Sequence, residues 1–198
     1  MNQLIDRREA LRKTALLMGA AVSASAIAGI LNGCKATPDL TYKPVFFTED
    51  QARLVSELAE IILPKTDTPG AKEVGVPTFI DRMLAQCYKK EDQEFFIAGL
   101  TAFDEAAKES FGDSFIYCKP EDQVSLTKTA LQAAIQEKKE NKKAKRPFIL
   151  MAKELTMLGY FTSEPGATQV LQYEAVPGKY NGCIPLKEAG NGKTWATG

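Results

Sequence analysis

An all-α fold, a single small domain of about five to six helices with an irregular C-terminal tail, follows from three observations. Apolar residues recur at spacings of three and four along most of residues 48–171. The recurring stretches are bounded by helix-start and helix-stop residues. No stretch alternates at period two for long enough to make a strand.

The first helix opens at Thr48-Glu49-Asp50-Gln51, a capping-box pattern in which a Thr hydroxyl and a Gln amide satisfy the first backbone N–H groups. Leu54, Val55, Leu58, Ile61 and Ile62 follow at helical spacing until Pro64 ends the run. A second helix opens at Pro77, a residue suited to a first turn, with Phe79, Ile80, Met83, Leu84 and Cys87 expected on its buried face. Cys87 is therefore expected in the core.

A third helix runs from about Glu91 to Phe111, with Phe96, Leu100, Phe103 and Ala107 inward and Gly112 closing it. The fourth starts near Pro120 and carries Val124, Leu131, Ala134 and Ile135, and the fifth starts near Pro147 with Phe148, Met151, Ala152, Leu155 and Leu158. Between them, residues 138–146 hold six basic side chains, expected to be a solvated helix end favoured by the helix dipole, with a docking patch for an acidic partner as the other reading. Residues 172–198 lack a period yet contain Tyr173, Val176, Tyr180, Ile184, Leu186 and Trp195, so they are expected to strap across the helices or onto a partner.

The N-terminal residues have a different character. Asp6-Arg7-Arg8-Glu9-Ala10-Leu11-Arg12-Lys13 precedes a run from Ala15 to Leu31 rich in Ala, Leu, Ile, Gly and Ser. The cluster resembles a twin-arginine export signal with Arg7 and Arg8 as the pair, although Ala10 stands where Phe is favoured. Leu31-Asn32-Gly33-Cys34 resembles a lipobox, which implies cleavage before Cys34 and a lipid on that cysteine. Residues 1–34 then form the signal and 35–47, with Pro38 and Pro44, a tether to the domain. An uncleaved anchor helix is the alternative, and both place the domain on the periplasmic side of a bacterial membrane. In that oxidising compartment Cys87, Cys118 and Cys183 are expected to form one disulfide, leaving one thiol over.

Composition narrows the chemistry. Residues 1–34 hold four of the 25 basic and two of the 25 acidic residues, so the remainder carries −2, which gives no basis for nucleic-acid binding. The sequence has no histidine, which rules out Ser-His and Cys-His nucleophilic pairs within the chain. Its four cysteines show no C-x-x-C spacing, so no metal site is expected.

Between the first two helices lies Thr66-Asp67-Thr68-Pro69-Gly70-Ala71, then Gly75-Val76-Pro77. Asp and Thr side chains can bond nearby backbone N–H groups, and Pro69-Gly70 suits the centre of a type II turn. A stiff loop is expected, with Asp67 as its bracing acceptor; a direct partner contact is the other reading of Asp67. No carboxylate pair points to acid–base catalysis.

That loop, the preceding Ala59-Glu60-Ile61-Ile62-Leu63-Pro64, the following Phe79-Ile80-Asp81, and Gly159-Tyr160-Phe161-Thr162-Ser163 together resemble the gluconate 2-dehydrogenase subunit 3 family, over roughly residues 45–183. The resemblance implies a small accessory subunit of a membrane-associated, flavin-dependent sugar or sugar-acid dehydrogenase, not itself an enzyme. FAD would reside in a large partner subunit, a c-type cytochrome could accompany it, and the signal would take the folded partner through the twin-arginine translocase. The chain contains neither a C-x-x-C-H haem-attachment motif nor a G-x-G-x-x-G fingerprint. The lipobox departs from that pattern by placing a lipid anchor on the small subunit itself. Thr66, Asp67, Thr68, Pro69, Gly70, Ala71, Tyr160, Thr162, Ser163, Tyr173 and Tyr180 are the interface residues expected from loop and tail. Two competing readings are a free-standing periplasmic lipoprotein that binds a sugar or other ligand, and an enzyme using Asp, Glu, Tyr or Cys.

Overall fold

The structure, a computed structural model, describes residues 37–176, 178–179, 182–188 and 192–196. Arg7, Arg8, Cys34 and Tyr180, named above, lie outside the described residues. Among the described residues five α-helices follow one another: α1 Glu49–Ile62, α2 Val76–Cys87, α3 Lys90–Phe111, α4 Pro120–Glu140 and α5 Phe148–Phe161. A 3-10 turn, Phe115–Tyr117, precedes α4, and a π-turn, Gly166–Val170, follows α5. The fold is all-α, as expected.

Local chemistry sets the helix ends. Thr48 Oγ1 accepts from the Gln51 N–H at 3.3 Å while the Thr48 N–H donates to Gln51 Oε1 at 3.0 Å, which closes the capping box. Pro77 lies in the first turn of α2, where its missing N–H costs nothing. Gly112 takes φ 79° just past α3 and its N–H returns to Lys108 O at 2.9 Å.

Helix α5 packs against all four other helices. That position explains why FILMAKELTMLGYF is apolar nearly all round. Phe96 of α3 meets Phe148 of α5 edge-on at 4.9 Å, and Phe103 meets Phe115 of the 3-10 turn at 4.9 Å. Phe47, from the chain preceding α1, adds a ring 5.9 Å from Phe96.

That contact corrects the tether. Residues 37–47 lie on the domain: Leu40, Tyr42 and Phe46 pack against the core and Phe47 is buried within it. The backbone N–H groups of Val45, Phe46 and Phe47 donate to one carboxylate, Asp81, at 2.7, 3.0 and 2.9 Å. The segment shows no period because its backbone is satisfied by a side chain of α2 instead of by its own secondary structure.

The inward faces of α2 and α4 also differ from expectation. In α2 the buried residues are Val76, Pro77, Ile80, Asp81 and Leu84, and Cys87, on the last turn, is exposed. In α4 they are Gln123, Thr127 and Ala134, while Ile135 is exposed. Two polar residues can lie inside because the Gln123 amide donates to Phe115 O at 2.7 Å and the Thr127 hydroxyl to Gln123 O at 2.8 Å.

Among the described residues no disulfide joins Cys87, Cys118 and Cys183, which sit at the end of α2, beyond the 3-10 turn and in the tail. The basic run behaves as a helix end. Lys138 donates to the carbonyls of Lys142 and Ala144, Lys145 pairs with Asp92 at 3.0 Å over the ring of Phe95, and Arg146 pairs with Glu154. Among its described residues the tail meets itself in one parallel bridge, Gln172 with Trp195, and Tyr173 and Val176 are 57% and 80% exposed. No helix among the described residues is long and apolar enough to cross a membrane.

Candidate functional site

The loop between α1 and α2 is held from below by Glu60, the third-last residue of α1. Its Oε1 accepts from the Lys65 N–H at 3.0 Å and its Oε2 from the Lys72 N–H at 2.9 Å, so one carboxylate ties both ends of the loop. Ala71 N–H closes on Leu63 O at 2.9 Å, and Thr66 N–H on Thr68 O at 3.0 Å. On the surface, Lys65 bridges to Glu73 at 2.9 Å, and this hydrogen bond and the charge of Glu73 raise the ammonium pKa.

Gly70 serves this arrangement differently from the expected type II turn. Its φ is not positive, so that turn is not formed. Gly70 is buried, and a Cβ there would collide with the Glu60 carboxylate, so glycine permits the close approach. Ala71 is fully buried as well. Gly70 and Ala71 therefore support the loop and do not present a contact surface.

Tyr160, near the end of α5, reaches the loop from the side. Its hydroxyl donates to Pro69 O at 2.7 Å, joining positions 91 residues apart, while its ring is buried. Thr162 and Ser163 turn inward along the chain: Thr162 Oγ1 donates to Leu158 O at 2.6 Å, and Ser163 Oγ donates to Tyr160 O and accepts from the Gly166 N–H. These residues hold the end of α5 under the loop. Thr66 and Asp67 face solvent, and Thr68 and Pro69 are half-buried.

Asp67 makes no hydrogen bond or ion pair with the described residues, so the bracing role expected of it belongs to Glu60. What the folded loop offers outward is a hydroxyl at Thr66 and a carboxylate at Asp67, on a backbone fastened at both ends. Tyr173 lies in the exposed tail, apart from these contacts.

The model of the gluconate 2-dehydrogenase subunit 3 family matches residues 49–178. The chain belongs to the gluconate 2-dehydrogenase subunit 3 family. Comparisons with curated proteins and with solved structures found no match. The family is that of one subunit of a dehydrogenase, which fits an accessory part in a multi-subunit complex. The subunit 3 match takes in α1 to α5, the braced loop and the start of the tail. It starts two residues after Phe47, although the segment that ends there is bonded to Asp81 inside it.

Two residues of this subunit 3 domain escape a reading by pattern alone, Glu60 and Asp81. Asp81 is 1% exposed, and a carboxylate so buried must have donors. The available signal was an acid in the middle of an apolar face, one residue from Ile80 and three from Leu84. Beside it lies the Tyr42 hydroxyl, buried with no partner among the described residues. Burial, and then the negative charge of Asp81, raise the Tyr42 phenol pKa far above its ordinary value.

The 3-10 turn has its own carboxylate. Asp104 accepts from Ser114 Oγ at 2.6 Å and from the Phe115 N–H at 2.8 Å, and pairs with Lys108 at 2.6 Å. Burial raises its pKa, but these three partners outweigh burial and hold it below 3.8. Asp104 lines an open cleft of about 310 Å³ with Leu54, Leu100 and Tyr117. Its oxygens are already engaged by the turn, so in this arrangement it is a structural anchor.

Proposed function

We propose that this chain is the non-catalytic small subunit of a membrane-associated, flavin-dependent sugar or sugar-acid dehydrogenase complex. It escorts the folded flavoprotein through twin-arginine export and docks it at the periplasmic side of the membrane. The observation that carries the reading is the braced loop of a subunit 3 domain: Glu60 and Tyr160 immobilise Thr66–Pro69 while Asp67 faces outward with its charge unspent. A preordered loop loses little entropy when a partner closes on it. The exposed apolar side chains Tyr173, Ile184, Leu186 and Trp195 supply the kind of anchors that interfaces bury.

FAD belongs to the large partner in this reading, and a c-type cytochrome is a further candidate member. Arg7 and Arg8 would carry the export signal and Cys34 the lipid. Native affinity purification from membranes tests the assignment. The chain should bring down a larger protein, and flavin absorbance should accompany the complex but not this chain alone. Recovery of the chain by itself, or with a sugar bound to it and no flavoprotein, would overturn the assignment. Lipidation is tested by the mass of the membrane-extracted N-terminus, and the export route by Arg7→Lys with Arg8→Lys, which should strand the protein in the cytoplasm.

A further inference from the structure

The segment that leads into α1 determines how close the domain stands to whatever holds Cys34. Thirteen residue steps separate Cys34 from Phe47. As a flexible tether they would let the domain wander about 20 Å on average and about 45 Å at full stretch. The structure fastens most of that length. Asp81 holds Val45, Phe46 and Phe47, Arg53 Nε donates to Pro38 O at 3.2 Å, and the Thr37 hydroxyl lies 3.2 Å from the Tyr117 hydroxyl.

Only three residue steps then remain between Cys34 and Thr37, and they span at most about 10 Å. The headgroup layer of one leaflet is itself about 5–7 Å thick. A lipid-bearing Cys34 therefore leaves Thr37 within or just above the headgroups. Tyr117 is bonded to Thr37, and exposed Lys119 follows two residues later.

From this geometry we propose that the end of the domain formed by Thr37, Tyr117 and Lys119 rests on the lipid headgroup surface, which holds the domain in one orientation instead of on a loose leash. The proposal rests on the lipid-anchored reading of Cys34. It also separates two faces. Arg53, which holds Pro38, lies nine residues before the end of α1, about 14 Å along the helix axis. The Thr66–Pro69 loop begins beyond that far end, and so stands away from the lipid contact and open to a periplasmic partner.

The test uses the full chain extracted from membranes, with Cys87, Cys118 and Cys183 changed to Ser and the Cys34 adduct identified by mass. A fluorophore is placed through Lys119→Cys or, separately, Thr66→Cys. The proteins are reconstituted in phosphatidylethanolamine and phosphatidylglycerol vesicles carrying a nitroxide on the headgroup. Quenching should be several-fold stronger at position 119 than at 66. It should fall towards the value at 66 when Thr37→Ala and Arg53→Ala together release the outer part of the segment, a change that spares Asp81 and the core. Equal quenching at the two positions with a lipidated Cys34 would overturn the docked orientation alone. A Cys34 without lipid would overturn the anchoring reading and this inference with it.

Discussion

Replacing Asp81 should be among the most damaging single changes outside the apolar core. Its Oδ1 accepts from both Phe46 and Phe47, and its Oδ2 from Val45. Hydrogen bonds to a charged group contribute about 1.5–3 kcal/mol each. Three that share one carboxylate are not additive, and two lie at part-buried donors, so Asp81→Ala should cost about 3–5 kcal/mol. For a domain of this size that is a fall in Tm of about 6–20 °C. Asp81→Asn, with its carbonyl at the Oδ1 position, can keep the two bonds to Phe46 and Phe47 and lose the one to Val45, so it should cost about half as much. Thermal unfolding by circular dichroism measures both variants, and hydrogen exchange at the Phe46 and Phe47 amides reports whether the segment has lifted. An Asp81→Ala variant within about 1 kcal/mol of the parent, or an Asp81→Asn as damaging as Asp81→Ala, would refute the reasoning.

Two further changes separate bracing from contact, and one addresses pH. Tyr160→Phe removes the bond to Pro69 O and should lower stability by about 1 kcal/mol, a Tm shift of about 2–4 °C in a melting curve. Asp67→Ala touches no partner among the described residues, so its melting curve should overlay the parent while its retention of the flavoprotein in a pull-down weakens. Asp104 has a lowered folded pKa, so its contribution to stability is complete above 3.8 and is lost as pH falls below that towards the folded value. Asp104→Asn should therefore be less stable than the parent near neutrality and flatten the acid end of its stability profile, as measured by urea melts from pH 2 to 6.

Helix boundaries were legible because local signals set them: the Thr48–Gln51 box, Pro77, Pro120 and Gly112 act within one turn of themselves. The inward faces were legible where the buried residues were apolar, as in α3. They were misread where a buried side chain was polar, because the hydrogen-bond partners that make Asp81, Gln123 and Thr127 tolerable inside, N–H donors for Asp81 and carbonyl acceptors for Gln123 and Thr127, come from distant backbone or from the preceding turn. The same cause hid the docked segment before α1, whose order depends on Asp81 36 residues away. At the loop, the grouping of Thr66–Ala71 with Tyr160 as a partner surface came through the family resemblance, and the structure shows Tyr160 bonded to the loop itself at Pro69. The brace did not: Glu60 sits on α1 like any solvated helix acid, and only the fold shows two backbone N–H groups converging on it.

The central claim is that this small subunit carries a folded flavoprotein out of the cytoplasm, and cell fractionation tests it most directly. The large subunit would be expressed with this chain, without it, and with the Arg7→Lys, Arg8→Lys variant, and its flavin-bound form measured in the periplasmic and cytoplasmic fractions. Delivery to the periplasm only with the intact chain is the predicted result. Normal delivery of the flavoprotein in cells that lack the chain would contradict it.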